Sequence, residues 1–177
     1  NCTTYGASSG YGTMPNWDIS NITDLSNKFG NKSTFNADLS AWDTSNVTDM
    51  NSAFKLTPDF NQDLSAWDTS SVTDMKYMFY GSGMTRVSFS DTSKVTDMKY
   101  MFYEATAIES VNLPETGNVT DMELMFHSAT ALTEVILPKT GKVTNMYYMF
   151  NGATSLTRVS LPQTGNVTTM ERMFSGA

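Results

Sequence analysis

The sequence predicts an α/β repeat solenoid, with short parallel strands on one face and short helices on the other. Three observations predict it: a phrase that recurs at a near-constant period, an apolar stripe of helical spacing after each recurrence, and an alternating apolar run before it.

The phrase is Val-Thr-Asp-Met or a close variant. It begins at Ile22, Val47, Val72, Val95, Val119, Val143 and Val167, with spacings of 25, 25, 23, 24, 24 and 24 residues. Such a period marks stacked units that share one core, because a unit this small cannot bury its apolar face alone. The repeat therefore occupies residues 17–177, and residues 1–16, rich in Gly, Ser, Thr and Tyr, are expected to form an N-terminal cap or tail.

The helical expectation comes from columns inside the repeat. Offset 3 from each landmark holds Leu25 or a Met, offset 6 holds Met78, Met101, Met125, Met149 and Met173 in the later units, and offset 7 is an unbroken Phe column from Phe29 to Phe174. Apolar residues at offsets 0, 3, 6 and 7 trace the buried stripe of a short helix. The invariant Thr at offset 1, from Thr23 to Thr168, suits a helix cap, and the acid at offset 2 suits the positive end of a helix dipole.

The strand expectation comes from the other half of the unit. Leu132-Thr-Glu-Val135-Ile-Leu137-Pro138 and Leu156-Thr-Arg-Val159-Ser-Leu161-Pro162 alternate apolar and polar residues, and the Thr-Gly pairs that follow are turn chemistry. One strand, one turn and one short helix per 23–25 residues is the unit of a leucine-rich repeat. Two sub-types are joined: the first three landmarks follow Trp17-Asp18, Trp42-Asp43-Thr44-Ser45 and Trp67-Asp68-Thr69-Ser70, and the last three follow Leu-Pro-x-Thr-Gly. The hybrid unit containing Phe89 sits at the join, where a change of curvature near residues 80–92 is expected.

The string Phe60-Asn-Gln-Asp-Leu-Ser-Ala-Trp-Asp-Thr-Ser-Ser-Val-Thr-Asp-Met75 resembles the repeat of BspA-like bacterial surface proteins, also seen in mycoplasma lipoproteins and Listeria-type surface proteins. The resemblance covers about residues 17–177. It implies a secreted or surface-anchored leucine-rich-repeat protein engaged in adhesion to host, matrix or cell partners, and it supplies no catalytic residue and no fixed ligand site.

Composition narrows the partners. A net charge of −7, with 11 Lys and Arg scattered along the chain, argues against nucleic acid, whose phosphates demand clustered cations. No apolar run has the roughly 18–20 residues of a membrane helix, so no membrane insertion is expected. With one His and one Cys, His127 and Cys2, a His-based nucleophilic site is not expected, and the chain is read as a non-enzyme without cofactor. His127 falls in a variable column and reads as a surface residue. Recurrent Asp columns (Asp24, Asp49, Asp74, Asp97, Asp121 and Asp18, Asp43, Asp68, Asp91) could ligate calcium, but Asn145, Thr169, Lys139 and Gln163 interrupt them, so capping and turn hydrogen bonds are the preferred reading. The 13 methionines read as core rather than metal ligands.

What varies while the core columns do not is the set of outward strand positions. Arg86, Ser88, Ser110, Asn112, Glu134, Ile136, Arg158 and Ser160 are the expected ligand-binding residues, presenting one continuous surface to a protein, cell-surface or matrix ligand. Tyr77, Tyr80, Tyr100, Tyr103, Tyr147 and Tyr148 form a second candidate surface. Self-association through the repeat ends, as a spacer or subunit of a surface filament, is the alternative expectation.

Overall fold

The computed structural model describes residues 14–177, so most of the expected cap or tail over residues 1–16, with Cys2, lies outside the described residues. The last three of those residues, Met14–Asn16, form a single turn of 3-10 helix, and Met14 is buried in the core.

Consecutive units lie beside one another in parallel register. Bridges at offset 2 link Asp24 to Asp49, Asp49 to Asp74, Asp74 to Asp97, Asp97 to Asp121, Asp121 to Asn145 and Asn145 to Thr169. At each step the amide at offset 3 donates to the next unit's offset-2 carbonyl, as from Met50 to Asp74 O (3.0 Å) and from Met146 to Thr169 O (2.8 Å).

The segment expected to be helical is a chain of β-turns. Met78 N–H donates to Met75 O (3.2 Å) and Ser82 N–H to Phe79 O (3.1 Å), closing two four-residue turns. Their third residues, Tyr77 (φ 57°) and Gly81 (φ 59°), are left-handed, the feature a type II turn requires. The amides between point along the stack: Tyr77 donates to Lys99 O (3.1 Å), Phe79 to Met101 O (2.9 Å) and Gly81 to Tyr103 O (2.8 Å). A helix would turn these same groups inward to its own carbonyls and leave nothing to join the units.

This overturns the expected α/β solenoid. The described residues contain no α-helix, and their four strands are three residues each: β1 (Arg86–Ser88), β2 (Ser110–Asn112), β3 (Glu134–Ile136) and β4 (Arg158–Ser160). The strands pair in parallel as two two-stranded sheets, β1 with β2 and β3 with β4. The fold is mostly β-structure and turns, and the leucine-rich-repeat form of the unit is corrected with it. An eight-residue segment is also too short to recover the cost of nucleating a helix.

The apolar columns nonetheless face inward as their spacing requires. Val95, Met98, Met101 and Phe102 are completely buried, as are their counterparts in the next two units. The Phe column stacks nearly parallel, with 5.3 Å between Phe102 and Phe126 and 5.5 Å between Phe126 and Phe150. Burying such rings contributes on the order of 2 kcal/mol each. The Thr column at offset 1 caps no helix: Thr48 Oγ1 donates to Thr23 O (3.2 Å), tying one unit to the previous one.

Candidate functional site

The strand positions follow from alternation over three residues. The central valines point toward the core, with Val87 and Val135 buried, while the flanking residues point away. On β1 and β2, Arg86 lies opposite Ser110 and Ser88 opposite Asn112, whose side-chain amide donates to Ser88 Oγ (3.1 Å). On β3 and β4, Glu134 lies opposite Arg158 and forms an ion pair at 3.0 Å, and Ile136 lies opposite Ser160. Both side chains are largely exposed, so the pair contributes no more than about 1 kcal/mol, although the Glu134 Oε1 that makes it is itself covered and accepts no hydrogen bond. Arg86 has no ion-pair partner among the described residues. Ile136 is 49% exposed and offers an apolar contact among these polar groups.

The eight residues therefore fall into two groups of four rather than one continuous row. Within each sheet the backbone ladder extends past the strands, with Phe89 N–H donating to Asn112 O (3.2 Å) and Leu137 N–H to Ser160 O (3.1 Å). No such bond joins β2 to β3. A cleft of about 410 Å³ opens there instead, lined by Ser110, Asn112, Glu134 and Ile136 together with Glu109 and Thr133. A second cleft, of about 430 Å³, lies between residues 61–65 and β1 and takes in Arg86 and Ser88. A third, of about 310 Å³, adjoins Arg158 and Phe174. Seven of the eight expected residues line one of these three clefts; Ser160 does not.

The clefts themselves were not legible in the sequence. The second arises because the unit before β1 has no strand: Thr85 N–H donates to the side-chain oxygen of Asn61 (3.0 Å), and Asn61 N–H donates to that of Asn36 (3.1 Å). The recurrence of Phe35-Asn36 and Phe60-Asn61 was the available signal.

The carboxylate columns make turns. Asp18, Asp43, Asp68 and Asp91 each accept the amide two residues on, as do Asp24, Asp49, Asp74, Asp97 and Asp121. Hydrogen bonds from Ser20, Ser45 and Ser70 hold Asp18, Asp43 and Asp68 below the usual carboxylate range. Asp97 goes the other way, raised chiefly by burial and also by the flanking charges of Asp74 and Asp121, against the pull of its own turn bond and of Lys76. Among the described residues no group of three or more His, Cys, Asp or Glu gathers to hold a metal. No helix among them is long and apolar enough to cross a membrane.

His127 is not the simple surface residue its column suggested. It stacks on Tyr103 at 4.6 Å and its Nδ1 lies 3.0 Å from Ser128 Oγ. Burial lowers its pKa, with the Glu104 carboxylate acting in the opposite direction.

A family profile described as "Mycoplasma protein of unknown function, DUF285" matches residues 4–112 and again 107–177. The chain belongs to the DUF285 family. This agrees with the mycoplasma part of the resemblance read from the repeats. The two DUF285 matches overlap at residues 107–112, which include β2, on the near side of the cleft that separates it from β3. No curated protein and no solved structure matches the chain.

Proposed function

We propose that this chain is a surface-exposed, non-enzymatic recognition module of the DUF285 family that adheres to a protein or cell-surface ligand through its strand face. The observation that carries the reading is the coincidence of three clefts with the variable outward residues, which lie over invariant core columns. A buried core held constant beneath a varied face is what a recognition scaffold needs, because binding can change there without touching the packing. The guanidinium of Arg86, without an ion-pair partner among the described residues, the exposed Ile136 and the Glu134–Arg158 pair give that face charge, an apolar anchor and hydrogen bonding. Membership of a mycoplasma family and the BspA-like repeat support a surface location.

The alternative reading is self-association through the repeat ends, as a spacer or subunit of a surface filament. One experiment separates the two. The purified chain is incubated with cell-surface and matrix fractions, and a sizing run is made in parallel. Saturable capture of one protein, lost when Arg86, Glu134 and Arg158 are all changed to Ala, is the expected result. Concentration-dependent oligomers without capture would overturn strand-face recognition and leave self-association.

A further inference from the structure

On the flank occupied by the turns, the tyrosines expected to form a second surface are half-buried and packed on one another. Tyr77 of the third unit stacks on Tyr100 of the fourth with centroids 4.8 Å apart and planes within 21°. Tyr80 stacks on Tyr103 at 4.8 Å and 13°. The two pairs also touch, through Tyr77–Tyr80 at 6.2 Å and Tyr100–Tyr103 at 5.6 Å, so four phenols form one quartet across a single unit junction. Lys55 Nζ lies 4.9 Å from the Tyr77 centroid and 5.1 Å from that of Tyr80, closing the outer side.

At the same junction the strand face has no strand ladder and the 430 Å³ cleft opens. It also joins the two repeat sub-types. We infer that the quartet is a site of oxidative cross-linking, in which a one-electron oxidant of the peroxidase and hydrogen peroxide class couples Tyr77 to Tyr100 or Tyr80 to Tyr103 and staples the third unit to the fourth. This rests on ring geometry and not on the strand-face reading.

The chemistry balances. Each phenol of a pair gives one electron to the oxidant and loses its hydroxyl proton, leaving a phenoxyl radical. For Tyr100 the proton has a ready acceptor, since its hydroxyl donates to Glu123 Oε1 at 3.2 Å. The two radicals join through carbons ortho to oxygen. Each coupled carbon then sheds its proton as the ring regains aromaticity and the oxygen its hydroxyl. Two electrons and two protons leave the pair in all, and one hydrogen peroxide is reduced to two waters. Rings already in van der Waals contact couple within the chain before either radical meets another molecule, because the partner's effective concentration is set by the fold.

The test treats the dilute folded chain with a peroxidase and hydrogen peroxide, then maps cross-linked peptides by mass spectrometry alongside dityrosine fluorescence. Expected is an intrachain Tyr77–Tyr100 or Tyr80–Tyr103 link, lighter by two hydrogens, and a raised Tm. The Tyr100→Phe/Tyr103→Phe variant keeps the stacked rings without their hydroxyls, and its unoxidised Tm verifies folding; it is expected to lose these links. Links found only between chains, only at Tyr147–Tyr148, or unchanged in yield when the chain is first unfolded in urea would overturn the inference, as would no coupled product.

Discussion

The first three units and the last four solve one stacking problem with different chemistry. In the early units side chains bridge the layers: Trp42 Nε1 donates to Met14 O (2.9 Å), Trp67 Nε1 to Leu39 O (3.0 Å), and Gln62 Nε2 to Asn36 Oδ1 (2.8 Å). In the later units three-residue backbone strands do this within each sheet, and the side chains of Phe89, Leu113 and Leu137, which carry no donor, fill the core. The early core is also more aromatic, with Phe54 stacking on Phe60 at 4.2 Å and Phe29 on Phe35 at 4.5 Å. An array can thus change how its layers are joined while most of its buried polar groups keep a partner, Trp17 Nε1 and Glu134 Oε1 being buried without a hydrogen bond among the described residues.

The two halves part most at their aromatic columns. Among the described residues Phe54 has four aromatic neighbours, Phe29, Phe60, Trp67 and Phe79, whereas Phe126 has two, Phe102 and Phe150. Phe126→Ala is expected to cost about 3–5 kcal/mol of unfolding free energy. Phe54→Ala should exceed it by about 1–2 kcal/mol, from the additional ring pairs. Equal losses in denaturant titrations would show that the aromatic enrichment of the early units adds nothing beyond area.

Next in size is the indole bridge. Trp67→Phe keeps a ring in the core and removes the indole donor to Leu39 O, which still accepts from the Trp42 N–H (3.1 Å), at a cost of about 0.5–1.5 kcal/mol. Phe89→Leu, which touches no such bond, should cost less, and the reverse order in thermal melts would undo the contrast between side-chain and backbone joining.

A smaller effect, of opposite sign, tests the turns common to both halves. Eleven non-glycine residues among those described have positive φ, falling in two columns, and the second column holds Gly81, Gly152 and Gly176 alongside Ser128 (φ 56°). Ser128→Gly should stabilise the chain by about 0.5–1 kcal/mol, since glycine adopts this conformation without steric penalty. A loss of stability would mean that the Ser128 contact with His127 outweighs the strain.

The smallest effects are electrostatic. Burial lowers the His127 pKa from its ordinary 6.5, so the unfolded chain binds more protons between the two values and stability is lost as pH falls through that window. His127→Gln should flatten that step in a Tm-against-pH series. The turn aspartates, also lowered, add a further loss below their ordinary 3.8, concentrated in the early units. Asp97 has the opposite sign: its raised pKa means that its ionisation, as pH rises above the ordinary 3.8, weakens the fold, so Asp97→Asn should raise the Tm slightly at pH 7, as Asn145 already makes the same turn bond at 3.0 Å. A fall in Tm would reverse that assignment.

Much of the core was legible because period alone decides which residues face inward, and the Val, Met and Phe columns are buried through the second to sixth units, with Ile22, Met170 and Phe174 of the outer units exposed. The backbone carrying them was not, because a 3.6-residue stripe and a series of turns with left-handed third residues place the same offsets inward. Gly81, Gly152 and Gly176, each two residues past a Phe of the column, were the signal of a left-handed turn there. The strand positions of Arg86, Ser110, Glu134 and Arg158 were readable from alternation, but the break between β2 and β3 was not, since both strands carry the same pattern.

The direction of the inter-unit hydrogen bonds has a mechanical consequence. They run along the stack, so tension between the chain ends peels one unit at a time instead of shearing many bonds together. Each released unit of about 24 residues supplies roughly 80 Å of slack chain in place of a single layer spacing of about 5 Å. Under load such a chain lengthens in even steps and dissipates work at each of them, while the layers still in place keep their faces intact.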